Sequence, residues 1–218
     1  MYCKNTIFIP LLLVLGSTAG AQTWNLTNDF SPPSNPNGAW SYAEYAGGTF
    51  ENLTWQPTAG VYAVGPVLQD GAFIYKNTTG SPAYGIDPGQ ISLESDWGTA
   101  VARWTAPTTG IYDINVAIGG TTATEGGGYG NNFAQYGGLN IGLVSQADTS
   151  FTNNVKTWTL TDVHLTGGQT VDAFVANPGY ANGGNTQTSF TVAAVPEPAQ
   201  FAVVGFGILG LLIRRRRA

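Results

Sequence analysis

The chain has 218 residues, of which only 10% are charged, against about 25% in an ordinary soluble domain. Five of its eight Lys and Arg residues lie at the two ends, and residues 22–195 hold three basic and twelve acidic side chains, a formal charge of −9. This distribution argues against a nucleic-acid-binding protein, which needs a clustered basic surface.

The N-terminal segment, 1–21, follows the order of a secretory signal peptide. Lys4 precedes an apolar run over 7–15, and Ala19 and Ala21 provide small residues at the −3 and −1 positions of a cleavage site. We therefore expect export through the Sec translocation machinery and removal of this segment. An uncleaved membrane anchor is the alternative, although the apolar run is only about half of the ~20 residues that span a bilayer.

Residues 22–193 have the pattern of an all-β domain, because short segments of alternating apolar residues recur between turn residues. The alternating sets, in chain order, are Trp24, Leu26, Asn28 and Phe30; Ile91 and Leu93; Tyr112, Ile114, Val116 and Ile118; Leu139, Ile141 and Leu143; Val171, Ala173 and Val175; and Thr188, Phe190, Val192 and Ala194. About ten strands at this spacing predict one domain, a two-sheet antiparallel sandwich of the jelly-roll-like kind.

Four segments between these strands carry further predictions. The apolar phase changes within 157–165, which predicts a β-bulge near Thr161 and Asp162. Segments 105–110 and 165–169 have the Pro and Gly content of hairpin connections. The glycine-rich segment 119–138 is either filler or an adaptable binding loop.

Candidate catalytic groups are few. Cys3 would leave with the signal peptide, and His164 is the only histidine, so a zinc site rich in Cys or His is excluded. Glu94 and Asp96, two residues apart, would project to the same side of a strand and are a carboxylate pair that a glycosidase could use. That pair, or Asp87 with neighbouring carbonyls, could bind Ca²⁺. We expect no catalytic residue, no metal site and no cofactor, with calcium as the open exception.

Aromatic residues provide a candidate glycan-binding site. Trp40, Tyr42 and Tyr45 follow a proline-rich segment, and Trp97 lies between two predicted strands. Aromatic rings stack on the apolar faces of sugars, while neighbouring amides and carboxylates bond the hydroxyl groups. Burial in the core is the alternative, since sandwiches commonly hold tryptophan between their sheets.

The C-terminal segment, 194–218, has three parts. Pro196, Glu197 and Pro198 come first, then the apolar segment 199–213, and then the cluster Arg214, Arg215, Arg216 and Arg217. As a helix, the apolar segment would be roughly 22 Å long against the ~30 Å of a bilayer core. Bilayer thinning and arginine snorkelling would close the gap, so we expect a transmembrane helix with the arginines on the cytoplasmic side.

This tail, together with the signal peptide, resembles the PEP-CTERM sorting signal of Gram-negative bacteria. The resemblance implies that an exosortase, a cysteine transpeptidase of the inner membrane, recognises and cuts the tail after export. It also implies that Pro196, Glu197 and Pro198 are acted on by that enzyme and have no catalytic role here. The family is associated with bacteria that form exopolysaccharide and biofilm.

A second resemblance concerns the domain between the ends. Segments 35–42 and 103–112 resemble segments of PEP-CTERM passenger domains with a carbohydrate-binding-module-like sandwich. Together, these features predict a non-enzymatic protein of the cell surface or extracellular matrix, anchored transiently in the inner membrane by its C-terminal helix, that binds extracellular polysaccharide. A polysaccharide-active hydrolase and an inert structural surface protein are the alternatives.

Overall fold

The computed structural model describes residues 21–64, 71–95, 98–119, 135–151, 154–176 and 185–196. Within these ranges, the residues of Ala21–Val195 belong to one compact unit. Both ends of the chain lie outside these ranges. They are residues 1–20 of the predicted signal peptide and residues 197–218, which include Glu197, Pro198, the apolar segment 199–213 and the four arginines.

Fourteen strands and one helical turn occur in the described ranges. They are β1 (Thr23–Asn25), α1 (Leu26–Asp29), β2 (Trp40–Ala46), β3 (Thr49–Asn52), β4 (Thr54–Gln56), β5 (Val61–Ala63), β6 (Phe73–Lys76), β7 (Ile91–Glu94), β8 (Thr99–Thr105), β9 (Gly110–Ile118), β10 (Gln135–Ile141), β11 (Val144–Phe151), β12 (Lys156–Leu165), β13 (Thr170–Ala176) and β14 (Asn185–Val195). No helix in these ranges is long and apolar enough to span a membrane.

The strands form two antiparallel sheets. One has the order β12-β9-β14-β7-β6-β5-β4, with β1 added beside β14, and the other has the order β11-β10-β13-β8-β2-β3. This confirms an all-β, two-sheet antiparallel sandwich with almost no helix, while the finer jelly-roll description stays a prediction.

The core lies between the inner faces of the two sheets. In β9, Tyr112, Ile114, Val116 and Ile118 are all buried, while Asp113 and Asn115 between them are exposed, as the alternation predicts. Trp104 of the facing sheet packs edge-on against Tyr112, with ring centroids 5.1 Å apart. Each fully buried side chain of this size contributes about 1.5–3 kcal/mol of burial free energy, which explains how a domain of this size folds around an apolar core.

The first predicted strand is shorter than expected. The alternation from Trp24 to Phe30 predicted one extended segment, but β1 ends at Asn25 and α1 follows. Asn25 caps this turn, since its side chain accepts a hydrogen bond of 3.0 Å from the amide of Asn28. Leu26 is completely buried, so the turn still places an apolar side chain in the core.

The predicted β-bulge is present in β12. The register with β9 shifts between Leu160 and Val163, and Asp162 has a φ of 56°. The amide of Asp162 donates a hydrogen bond of 3.0 Å to Oδ1 of Asp113 on β9. The bulge therefore keeps Leu160 and Val163 packed against the core although their phases differ.

The two predicted hairpins are wrong. Segment 105–110 joins β8 to β9, and segment 165–169 joins β12 to β13, and in both cases the strands belong to opposite sheets. Pro and Gly specify a tight turn but not whether the chain returns along its own sheet. Tyr112 stabilises the first crossing, because its hydroxyl donates a hydrogen bond of 2.7 Å to the carbonyl of Thr108.

One further predicted position differs from the structure. Leu143 does not extend the alternation of Leu139 and Ile141 but lies in the turn between β10 and β11, with a φ of 69° and 66% of its surface exposed. The predicted boundary between residues 193 and 194 falls inside β14, which continues to Val195.

Candidate functional site on the outer face of the six-stranded sheet

The predicted aromatic platform is divided between the two faces of β2. Trp40 and Tyr42 are 1% and 0% exposed, so the prediction that they contact a glycan is wrong. Successive residues of a strand point to opposite faces, and Trp40 and Tyr42 take the core side, while Tyr45 lies on the outer side and is 44% exposed. Trp97 lies outside the described residues.

The strand register assembles a row of polar residues on that outer side. Ser41 of β2 lies opposite Arg103 of β8, Arg103 opposite Asp172 of β13, and Asp172 opposite Asn140 of β10. Residues directly opposite each other project to the same face of a sheet. We use the term outer face for this side of the six-stranded sheet, including Tyr45, Phe50, Arg103, Asn140, Asp172 and Phe174.

An ion pair occupies the centre of the outer face. Nε and Nη2 of Arg103 each donate a hydrogen bond of 2.7 Å to a different carboxylate oxygen of Asp172, and the side chains are 16% and 4% exposed. The guanidinium carbon lies 3.6 Å from the centre of the Phe50 ring. Asp172 and Phe50 thus hold the planar guanidinium group of Arg103 in a fixed position on the outer face.

Aromatic rings flank the ion pair on both sides. Tyr45 lies directly opposite Phe50 on β3. On the other side, Tyr136 packs against Phe174 with ring centroids 6.1 Å apart. A hydrogen bond between Tyr136 and Asp148 raises the pKa of the tyrosine and lowers that of the carboxyl group. Asp148 therefore stays ionised as an acceptor at neutral pH.

Of the candidate chemical groups that the structure describes, His164 and Glu94 lie in the other sheet. Both carboxylate oxygens of Asp172 are occupied by Arg103, and the single histidine, His164, is an exposed residue of β12 in the other sheet. Among the described residues, no group of three or more His, Cys, Asp or Glu side chains could hold a metal ion. Of the predicted carboxylate pair, Glu94 ends β7, and Asp96 lies outside the described ranges; calcium binding stays a prediction.

Sequence reasoning missed Phe50, Arg103 and Asp172. The sequence did contain one indication of their position. Arg103 and Asp172 are adjacent in sequence to Trp104 and Val171, which are buried in the core, and successive strand residues point to opposite faces of a sheet. What the sequence could not show is that β8 and β13 are adjacent. Four other strands lie between them along the chain, and their pairing depends on the whole sandwich.

The two ends of the domain meet far from Tyr45. The amide of Ala194 donates a hydrogen bond of 2.8 Å to the carbonyl of Gln22, near the turn that joins β8 to β9. Tyr45 lies opposite Thr99, at the other end of the seven-residue strand β8. At ~3.3 Å per residue, the outer aromatic pair is roughly 20 Å from this end of the sandwich.

Residues 194–217 match the family model described as the PEP-CTERM protein-sorting motif. The C-terminal segment is a PEP-CTERM protein-sorting motif. The PEP-CTERM motif implies export, anchoring of the C-terminus in a membrane before processing, and processing by an exosortase. The predicted sorting signal is thereby confirmed.

The chain is similar to several solved structures of low sequence identity. A family 35 carbohydrate-binding module from Clostridium thermocellum is 14% identical and similar over 56% of this chain and 90% of its own, with a TM-score of 0.32. A CBM36 module in complex with calcium and xylotriose is 14% identical, over 50% and 81%, with a TM-score of 0.30. The Stig cyclase Fisc from Fischerella sp. TAU is 16% identical, over 78% and 91%, with a TM-score of 0.40. No curated protein matches the chain.

Proposed function

We propose that this chain is an exported, exosortase-processed, non-enzymatic protein of the cell surface or extracellular matrix, which binds a polysaccharide through its outer face. The PEP-CTERM motif supports export and processing. The predicted signal peptide supports passage through the Sec machinery, and the apolar segment 199–213 supports transient anchoring in the inner membrane.

The observation that carries the binding proposal is the grouping of Tyr45, Phe50 and Arg103 on one side of a sheet. Tyr45 offers an exposed ring, and Arg103 offers a fixed guanidinium group, a hydrogen-bond donor, beside the ring of Phe50. Apolar sugar faces stack on such rings, while hydroxyl groups accept hydrogen bonds from a fixed planar donor. Since Asp172 holds the guanidinium in place, little side-chain entropy is lost when a ligand binds.

Charge favours a neutral polysaccharide. Arg103, the cation at the centre of the outer face, is neutralised by Asp172, and residues 22–195 carry a formal charge of −9. Such a domain repels polyanions at low and moderate salt. We therefore expect neutral chains such as xylan, mannan or glucan to bind more tightly than polygalacturonate.

A titration of residues 22–196 tests the proposal. Neutral and anionic glycans are added while tryptophan fluorescence and heat of binding are followed, and the reducing ends are counted after incubation. Saturable binding of a neutral glycan without new reducing ends is the expected result. Binding of none of them at millimolar concentration would favour the inert structural protein, and new reducing ends would favour the hydrolase.

The sorting motif has a separate test. Replacement of Pro196 and Glu197 by alanine in the full chain removes the extended, proline-bounded segment. The precursor should then remain in the inner membrane with its tail attached. Processing equal to that of the wild-type chain would show that these residues do not direct it.

A further inference from the structure

The sorting motif and the folded domain share two residues. The match begins at 194, yet Ala194 and Val195 are the last residues of β14. They lie opposite Tyr112 and Ile111 of β9. The first residues of the sorting motif are therefore part of the sheet.

β1 covers the other edge of β14 at the same place. Thr23 pairs with Ala193, Trp24 with Val192 and Asn25 with Thr191. The Trp24 ring packs against Trp104 at 5.1 Å, and Val192 is completely buried. The C-terminal end of β14 is thus paired with β1 on one edge and with β9 on the other, and Trp24 anchors β1 in the core.

Pro196 is the first residue free of these constraints. It has no backbone N–H to donate, belongs to no strand and is exposed. An enzyme that cuts an extended peptide binds the backbone groups of that peptide. Those groups are already paired in Ala193 and Ala194, whereas Pro196 belongs to no strand.

We propose that β14 stays paired with β1 and β9 during processing. The peptide bond cut by the exosortase then lies C-terminal to Pro196, and the mature domain keeps Ala194 and Val195 in its sheet. One peptide bond breaks, its carbonyl carbon passes to an amine or to water, and the tail leaves with a new amino group. This inference rests on the proposed processing, and it adds the position of the cut relative to the fold.

A disulfide between β1 and β14 tests whether the C-terminal end of β14 must separate from β1 before the tail is cut. Because Ala194 donates to Gln22, the next pair, Thr23 and Ala193, is a non-hydrogen-bonded pair, whose Cα atoms are typically about 4.5 Å apart and within disulfide range. In the full chain, the substitutions Thr23→Cys and Ala193→Cys would hold β1 and β14 together covalently. The matched control carries Asn115→Cys and Thr159→Cys, an exposed pair that joins β9 to β12.

Each chain is expressed in a host with an exosortase, and the processed fraction and the intact mass of the product are measured with and without reductant. We expect both disulfide variants to be processed as fully as the wild-type chain, and every product to retain Pro196. Accumulation of unprocessed precursor only in the Thr23–Ala193 variant would overturn the inference.

The wild-type product alone gives a second measurement that needs no variant. A product mass that lacks Val195 would overturn the inference while leaving exosortase processing intact. A wild-type chain that is not cut at all would overturn the proposed processing, and the inference with it. The two failures are therefore distinguishable.

Discussion

Arg103 and Asp172 lie opposite each other on β8 and β13 and share two parallel hydrogen bonds of 2.7 Å. The pair holds the guanidinium plane against Phe50. Removing one partner would leave the other largely buried without a counter-charge. The fold itself therefore sets the geometry of this guanidinium group.

The ion pair gives a stability prediction. Asp172→Ala should lower the free energy of unfolding by about 3 kcal/mol, because breaking a buried pair leaves an uncompensated charge. Urea denaturation of residues 22–196 measures the change. The double variant Arg103→Leu with Asp172→Leu should lose much less, since an apolar pair has no charge to desolvate; an equal loss in both variants would contradict this explanation.

Tyr45 and Phe50 give a binding prediction. Tyr45→Ala and Phe50→Ala should each cost about 1–2 kcal/mol of binding free energy, which is roughly a fivefold to thirtyfold increase in Kd. Calorimetry with the best neutral glycan measures this. Tyr84→Ala is the matched control, because Tyr84 is a 57% exposed aromatic residue outside the outer face. An equal loss in the control would mean that the effect is not specific to the outer face.

Tyr42 gives a pH prediction. Its hydroxyl is buried without a hydrogen-bond partner among the described residues, and burial, followed by the charges of Tyr62 and Asp29, raises its pKa. Because the pKa is higher in the folded state, the associated stability is complete below about pH 10, the pKa of an unfolded tyrosine, and is lost as the pH rises further.

Tyr42→Phe should therefore raise the free energy of unfolding by about 1 kcal/mol at neutral pH and should reduce the loss of stability above pH 10. Urea midpoints at neutral and alkaline pH measure both effects. Tyr112→Phe is the opposite control, since it removes a made hydrogen bond to Thr108 and should destabilise the domain. A destabilised Tyr42→Phe variant would show that the hydroxyl has a partner.

The bulge in β12 gives a backbone prediction. Asp162 has a φ of 56°, a left-handed conformation that glycine adopts freely and that costs a β-branched residue about 1–2 kcal/mol. Asp162→Gly should be close to neutral, and Asp162→Val should lower the melting temperature clearly. Equal melting temperatures for the two variants would argue that φ at this position is not constrained.

The sequence predicted those features that depend on local pattern. The alternation in β9 and the phase change around Asp162 follow from the period of a strand, and both are present. The sequence could not predict which strands are neighbours. The two connections predicted to be hairpins are therefore crossings between the sheets. The prediction for Trp40 and Tyr42 fails for the same reason, because the sequence does not show which face of β2 packs against the second sheet.

The hydrogen bond between Gln22 and Ala194 lies at the opposite end of the strands from Tyr45, and this separation has a mechanical consequence. If the protein is held at its C-terminus while a polymer pulls on the outer face, the force runs along the strands. The backbone hydrogen bonds between β14 and β9 would then be stressed together, in shear. A pull between the two chain ends would instead open the three pairs of β1 and β14 one after another. Tension between the outer face and the C-terminus should therefore be resisted more strongly than tension between the two chain ends.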